Sequence, residues 1–275
     1  MKKTKIRFLA SLTSFIVGVS VIGSNVTALD INSANSTETE AVESVDNAPV
    51  IGTYHYNKYY ANLSRKKENE MLLNNNISSY STYANTTNKR LAIYQVAQEK
   101  NFWCGYAAIK SLLDFEKVDM THEEIAEKVY SKDLSCPWYL SDGDSKDQFP
   151  VPNVLQELTG FVYIPYPYGA AGATTLTGDE VSGRVVATIN NGHGVLACGT
   201  SKGNISGHAS ILPGYPASSI THWVAVDGYA NSGDIIYIVD PAKSDVISWS
   251  DNISRYYSVS SSKLASFAST RGIVW

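Results

Sequence analysis

Cys104-Gly105-Tyr106-Ala107-Ala108-Ile109-Lys110-Ser111-Leu112-Leu113-Asp114-Phe115 carries Ala108, Ile109, Leu112 and Phe115 at helical spacing, and nothing after Gly105 interrupts it. The pattern predicts a helix that starts at or just after Cys104 and runs into a core. A thiol in the first turn of a helix meets the positive end of the macrodipole and unpaired backbone N–H groups, both of which favour thiolate. Whatever packs against this helix decides the fold, and whatever faces its first residue decides the chemistry.

Downstream, Thr121-x-x-Glu124 forms a capping box ahead of Ile125, Ala126 and Val129 and opens a second helix. A third is expected over Asn153–Leu158, closed by Gly160, and a fourth over Gly178–Ile189, stopped by Asn190-Asn191-Gly192. The period then changes to two. Gly194–Cys198, His222–Tyr229, Ile235–Val239 and Val246–Trp249 read as strands, with Asn231-Ser232-Gly233 as a turn. A short helix over Ser262–Ala268 and a last strand at Ile273-Val274 complete the pattern. Helices first and antiparallel strands afterwards describe an α+β domain.

Among the five histidines, His222 alone begins a strand, in His222-Trp223-Val224-Ala225-Val226-Asp227-Gly228-Tyr229, where a rigid sheet can aim it. Asp240 ends the next strand in Ile236-Tyr237-Ile238-Val239-Asp240-Pro241. Antiparallel pairing brings that end back beside the start of the first strand, so Asp240 is expected close to His222. Taken singly, an Asp before Pro is a turn former and a strand His a satisfied structural residue. Together with a helix-start Cys they compose the nucleophile, base and orienting acid of covalent acyl transfer. Gln98, six residues before Cys104, is placed to offer its amide to a developing oxyanion, with the Cys104 backbone N–H as second donor.

Tyr94-Gln95-Val96-Ala97-Gln98-Glu99-Lys100-Asn101-Phe102-Trp103-Cys104-Gly105-Tyr106-Ala107-Ala108 resembles the Gln-to-Cys-Gly block of papain-like cysteine peptidases. It is most similar to the bacterial branch of double-glycine leader (bacteriocin-processing) peptidases. The His222 and Asp240 blocks resemble that branch's own, in the same order. The resemblance implies a papain-like two-lobed domain, with Cys104 on a helix of an N-terminal lobe facing His222 and Asp240 on a C-terminal sheet lobe. It also implies Gln98 in the oxyanion hole and a peptide or protein substrate. One departure is Tyr106, where the branch often has Pro after Cys-Gly; this bears on the cleft beside the thiol. Nothing matches the membrane and nucleotide-binding parts of transporter-fused members, so leader-peptide export is not implied.

Outward from the domain, residues 29–90 are rich in Asn, Ser, Thr and Glu and lack sustained apolar periodicity, which reads as a linker or pro-segment. One short helix is expected within it, around Asn62–Leu73. Lys89-Arg90 at its end is either a processing site or a basic pair in a solvated loop. The domain itself is read as residues 91–275. Residues 1–28 combine Lys2, Lys3, Lys5 and Arg7 with an apolar run from Phe8 to Gly23 and the ending Val26-Thr27-Ala28. That is a secretory signal peptide cleaved after Ala28; a retained membrane anchor is its rival. The expected location is therefore extracellular, with cell-wall association open and no membrane attachment after cleavage.

Removing those four cations takes the formal net charge from −4 to −8, an acidic balance that argues against nucleic acid as a partner. Three cysteines leave at least one thiol unpaired in an exported chain. Cys198 sits in an apolar run and Cys136 before Pro137, and a disulfide between them stays open. Two motif matches fail on their missing partners. Gly199-Thr200-Ser201-Lys202-Gly203 matches a serine nucleophile elbow, but no acid lies between Ser201 and His222 and no His follows His222. His122-Glu123-Glu124-Ile125-Ala126 has Ala where a zinc-binding helix needs its second His. No metal or other cofactor is called for. Two other functions remain beside the peptidase: a peptidoglycan stem-peptide hydrolase or amidase with the same Cys–His chemistry, and a catalytically silent peptide-binding protein.

Overall fold

A computed structural model of the chain describes residues 66–67, 87–130, 134–142, 146–167, 176–202 and 212–275. The expected signal peptide and almost all of the 29–90 segment lie outside these residues. The expected helix over Asn62–Leu73 is described only at residues 66 and 67, which are helical.

The pivotal helix, α1, spans Cys104–Phe115. It buries Cys104 through Ile109 and Ser111 through Leu113. Ser111 is tolerated inside because its hydroxyl donates to the Ala107 carbonyl at 3.0 Å and accepts from Val96 N–H at 3.0 Å. Helix α2 (His122–Val129) opens on the expected Thr121–Glu124 capping box. Helix α3 spans Pro150–Thr159 and ends at Gly160 in the left-handed region, φ 72°. It starts three residues before the expected Asn153, because Pro150 at the first turn gives up no needed donor and presets φ. Helix α4 (Gly178–Asn190) begins on a second capping box, Thr177 with Glu180. Helix α5 spans Ser261–Ala268 and is capped by Ser260.

Seven antiparallel strands form the main sheet. They are β1 (Lys89–Arg90), β4 (Pro165–Tyr166), β5 (Val195–Ser201), β6 (Ile220–Ala230), β7 (Ile235–Val239), β8 (Tyr256–Ser260) and β9 (Gly272–Val274). The order is β4-β9-β5-β6-β7-β8, with β1 also paired to β6. A separate hairpin joins β2 (Leu140–Asp142) and β3 (Lys146–Gln148).

Alternation along the central strands serves two cores. Leu196, Cys198, Trp223 and Ala225 pack with α1, α2 and α3. Val195, Ala197, Val224 and Val226 pack with α4 and α5 on the opposite side. The sheet is therefore covered on both faces, and the fold is α+β. Covering the second face with α4 and α5 was not part of the expected two-lobed picture.

Two expected boundaries change. Val246–Trp249, expected as a strand, is a loop closed by Ser244: Ile247 N–H donates to the Ser244 carbonyl at 3.2 Å and Ser250 Oγ donates to the same oxygen at 2.9 Å. Its apolar alternation buries Ile247 rather than building a ladder. The strand beside β7 is β8, whose Tyr-Tyr-Ser-Val-Ser composition is only weakly apolar, as an edge strand allows. The other change is at Lys89-Arg90, which is not a solvated loop but the strand β1. Lys89 Nζ donates to the Asn190 carbonyl at 3.0 Å, and Arg90 Nε pairs with the buried Asp227 at 2.8 Å. Asp227 lies where β6 and β7 slip register between Val226 and Gly228, so the arginine neutralises a carboxylate that the bulge buries.

Lys67, within the upstream segment, also touches the domain. Its side chain is buried, its ammonium donates to the Val162 carbonyl at 2.9 Å, and it lies 4.5 Å and 4.4 Å from the ring centres of Phe161 and Trp275. Among the described residues, no helix is long and apolar enough to cross a membrane.

Candidate active site

Cys104 is the first residue of α1, and the preceding Trp103 supplies no side-chain cap to the helix start. The first-turn N–H groups therefore keep their partial positive charge beside the thiol. The helix can sit close to the sheet there because residue 105 is glycine. A Cβ on Gly105 would overlap Cys136 and come within 2.7 Å of its Sγ and 2.9 Å of the Trp223 ring. Trp223 Nε1 in turn donates to the Cys136 carbonyl at 3.2 Å. Gly105→Ala is accordingly expected to cost about 1–3 kcal/mol of stability and to displace the Cys136 loop. Thermal denaturation measures this, and an alanine variant as stable as its parent would contradict the close approach.

His222 lies on β6, which begins two residues earlier at Ile220. Its ring is 3% exposed. Nε2 lies 2.9 Å from Asp240 Oδ1, and the ring's other side-chain hydrogen-bond partner is Cys104. With Nε2 held by the carboxylate, Nδ1 is the nitrogen turned to the sulfur. Cys104 packs in the core under α1, whereas Tyr215, whose ring centre is 5.5 Å from that of His222, packs in the core under α4 and α5. Cys104 and Tyr215 thus reach the His222 ring from different cores.

Asp240 follows β7 directly. The register pairs Ala225 with Val239, which sets Asp240 beside the start of β6, as the hairpin pattern required. The carboxylate is fully buried and accepts from Ala242 N–H at 2.9 Å, from Tyr257 Oη at 2.7 Å and from Tyr215 Oη at 2.9 Å and 3.1 Å. Burial works to raise its pKa, yet His222, the Ala242 N–H and Tyr257 outweigh burial and hold it below the usual carboxylate range. Burial likewise works against charge on His222, but Cys104 and Asp240 on its two sides push its pKa up to about 10. Cys104 and Asp240 thus flank the ring as its two side-chain partners.

Gln98 is buried, and its loop is laced to the Asp240 turn. Its N–H donates to the Pro241 carbonyl at 3.1 Å, and its carbonyl accepts from Ser244 Oγ at 2.6 Å. One side-chain amide hydrogen is spent on the Lys100 carbonyl at 2.8 Å. The neighbouring Glu99 pairs with His122 at 3.1 Å, and His122 stacks on Trp103 with ring centres 6.2 Å apart. This pins the loop from Gln98 to Cys104 against α2. Tyr106 is fully buried, edge-on to Trp103 at 5.7 Å.

The remaining candidates fall into structural places. Cys136 and Cys198 are buried free thiols with no disulfide between them. Burial first, then the charge of the neighbouring thiols, pushes both well above the ordinary thiol range. Ser201 is the last residue of β5, is fully buried, and accepts from Leu212 N–H at 2.9 Å. Among the described residues, no group of three or more His, Cys, Asp or Glu side chains could hold a metal ion. Tyr215 and Tyr257 were not singled out from sequence. With 18 tyrosines in the chain, neither spacing nor periodicity marks these two.

Residues 90–264 match the model of the Peptidase_C39 like family. Among solved structures, a chain described as a C39-like peptidase from Bacillus anthracis aligns over 67% of this chain and 92% of its own at 10% identity, with a TM-score of 0.40. Xylellain, a cysteine protease from Xylella fastidiosa, aligns over 71% of this chain and 86% of its own at 12% identity, with a TM-score of 0.37. No curated protein sequence matches the chain. With the family match running from β1 into α5 and taking in Cys104, His222 and Asp240, the chain belongs to the Peptidase_C39-like family and is a cysteine-type peptidase.

Proposed function

We propose that this peptidase is exported and hydrolyses peptide bonds through a Cys104 thiolate paired with protonated His222. The thiolate attacks the scissile carbonyl, and the Cys104 backbone N–H and the Gln98 side-chain amide hold the resulting oxyanion. Collapse to a thioester transfers the Nδ1 proton of His222 to the leaving amine. A water molecule, giving a proton back to His222, then hydrolyses the thioester and frees the thiol. Asp240 holds the ring by Nε2 throughout and balances its charge.

The single observation that carries this reading is the convergence of a helix-start thiol on a buried His222–Asp240 pair. Export rests on the Lys2-to-Ala28 pattern, and a protein or peptide substrate on the family. The test incubates the purified protein with denatured casein and, separately, with purified cell walls, and maps new termini by mass spectrometry. Casein cleavage that is lost in Cys104→Ala is expected. Release of stem peptides with casein untouched would move the substrate to peptidoglycan, and no cleavage of either would contradict the reading. A secreted form beginning at Leu29 would mark the signal cleavage.

A further inference from the structure

Asp240 is held by more than its base. Its two oxygens offer about four acceptor sites, and the structure fills them from separate parts of the chain: His222 on β6, the Ala242 N–H just beyond the turn, Tyr257 on β8, and Tyr215 from the loop before β6. Tyr215 is buried and Tyr257 half-buried, and burial first, then the Asp240 charge, keeps both phenols protonated far above neutral pH, so they remain donors. Tyr215 also lies against the His222 ring at 5.5 Å and against Trp249 at 5.2 Å between ring centres, which limits rotation of the imidazole.

We infer that Tyr215 and Tyr257 are positioning residues of the reaction: they fix the Asp240 carboxylate with one oxygen on His222 Nε2, and Tyr215 additionally braces the ring whose Nδ1 faces Cys104. This inference rests on the proposed roles of Cys104, His222 and Asp240. A buried carboxylate stays ionised only while hydrogen-bond donors replace water. Without the phenols, Asp240 takes up a proton at higher pH. His222 then loses its counter-charge and its fixed orientation, and the thiol loses its cationic partner. The groups that face the carboxylate are His222, the Ala242 N–H, Tyr215 and Tyr257, with Cys104 on the far side of the ring.

The experiment uses the full chain with Tyr215→Phe, Tyr257→Phe and the double variant, and reads two profiles against pH: the rate of Cys104 alkylation by iodoacetamide, and kcat/KM on whichever peptide the parent cleaves. Each single change is expected to slow both about ten- to a hundred-fold near neutral pH. In the double variant the acid limb of both profiles should move up by about one pH unit or more. A purely structural role would lower the melting temperature without moving the limb. If the double variant fails to fold, the single variants carry the same readout. Unmoved limbs with rates within about two-fold of the parent would overturn the inference. Alkylation needs no substrate, so a shifted alkylation limb in a protein that cleaves nothing would support the positioning role while removing the peptidase mechanism.

Discussion

Replacing Cys104 by alanine is expected to lower kcat/KM by at least about 10⁴-fold, the scale on which loss of a covalent nucleophile is felt when base and binding groups remain. The fold should survive. Cys104 keeps its Cβ against the core under α1 and loses only the sulfur at the edge of the cleft, a change worth about 1 kcal/mol. The substitution also removes one of the two neighbours that raise the His222 pKa, so the imidazole should titrate lower in the variant. Steady-state kinetics on a cleaved peptide, with a melting curve for each protein, measures both effects. A variant that keeps the biological activity of its parent would instead make the chain a peptide-binding protein.

The second large effect is expected from Asp240→Asn. The substitution keeps the shape but turns an amide NH₂ toward a site built from donors: His222 Nε2, Ala242 N–H, Tyr215 and Tyr257. The phenols can rotate to accept, but the imidazole loses its counter-charge and its fixed tautomer. A loss of about 10²–10⁴ in kcat is expected, as for other orienting acids of this kind. Stability should fall as well, by about 3–5 kcal/mol where the parent pair is fully charged, because one partner of a buried pair is left alone.

The pH dependence of that stability loss follows from the two shifts. Asp240 is held below its ordinary range, so its contribution is present above the unfolded carboxylate pKa and is lost as pH falls through the lower folded value. His222 is raised from 6.5 to about 10, so its contribution is complete below about 6.5 and is lost as pH rises toward 10. The difference in melting temperature between parent and Asp240→Asn should therefore be greatest near pH 5–6, roughly, and shrink toward pH 10. A difference that stays constant across this range would contradict a charged pair.

Much of this was legible from local signals. The uninterrupted apolar spacing after Gly105 marks α1, and Thr121 with Glu124 marks the start of α2, because both depend on residues within a turn or two of one another. The β6–β7 hairpin is legible for the same reason, and it brings Asp240 to His222 by register alone. The missed features depend on distant partners. Tyr256–Ser260 forms an edge strand because β7 offers it a ladder, not because its own composition demands one. Val246–Trp249 alternates like a strand, but Ser244 closes it into a turn. Lys89-Arg90 reads as a basic pair in a loop until Asp227, 137 residues on from Arg90, is seen beneath it. Tyr215 and Tyr257 matter only because the fold brings both to one carboxylate. The proximity of all three cysteines to the helix start likewise comes from Gly105 admitting Cys136 against α1.

The most direct test of the central claim is brief iodoacetamide labelling of the folded full-length protein at about pH 6, where only an activated thiol reacts well, with the modified residue mapped by mass spectrometry. Cys104 should carry the label, and His222→Ala should suppress it, while Cys136 and Cys198, buried and pushed well above the ordinary thiol range, stay unmodified. Labelling of Cys136 or Cys198 ahead of Cys104, or labelling of Cys104 that does not depend on His222, would contradict the assignment.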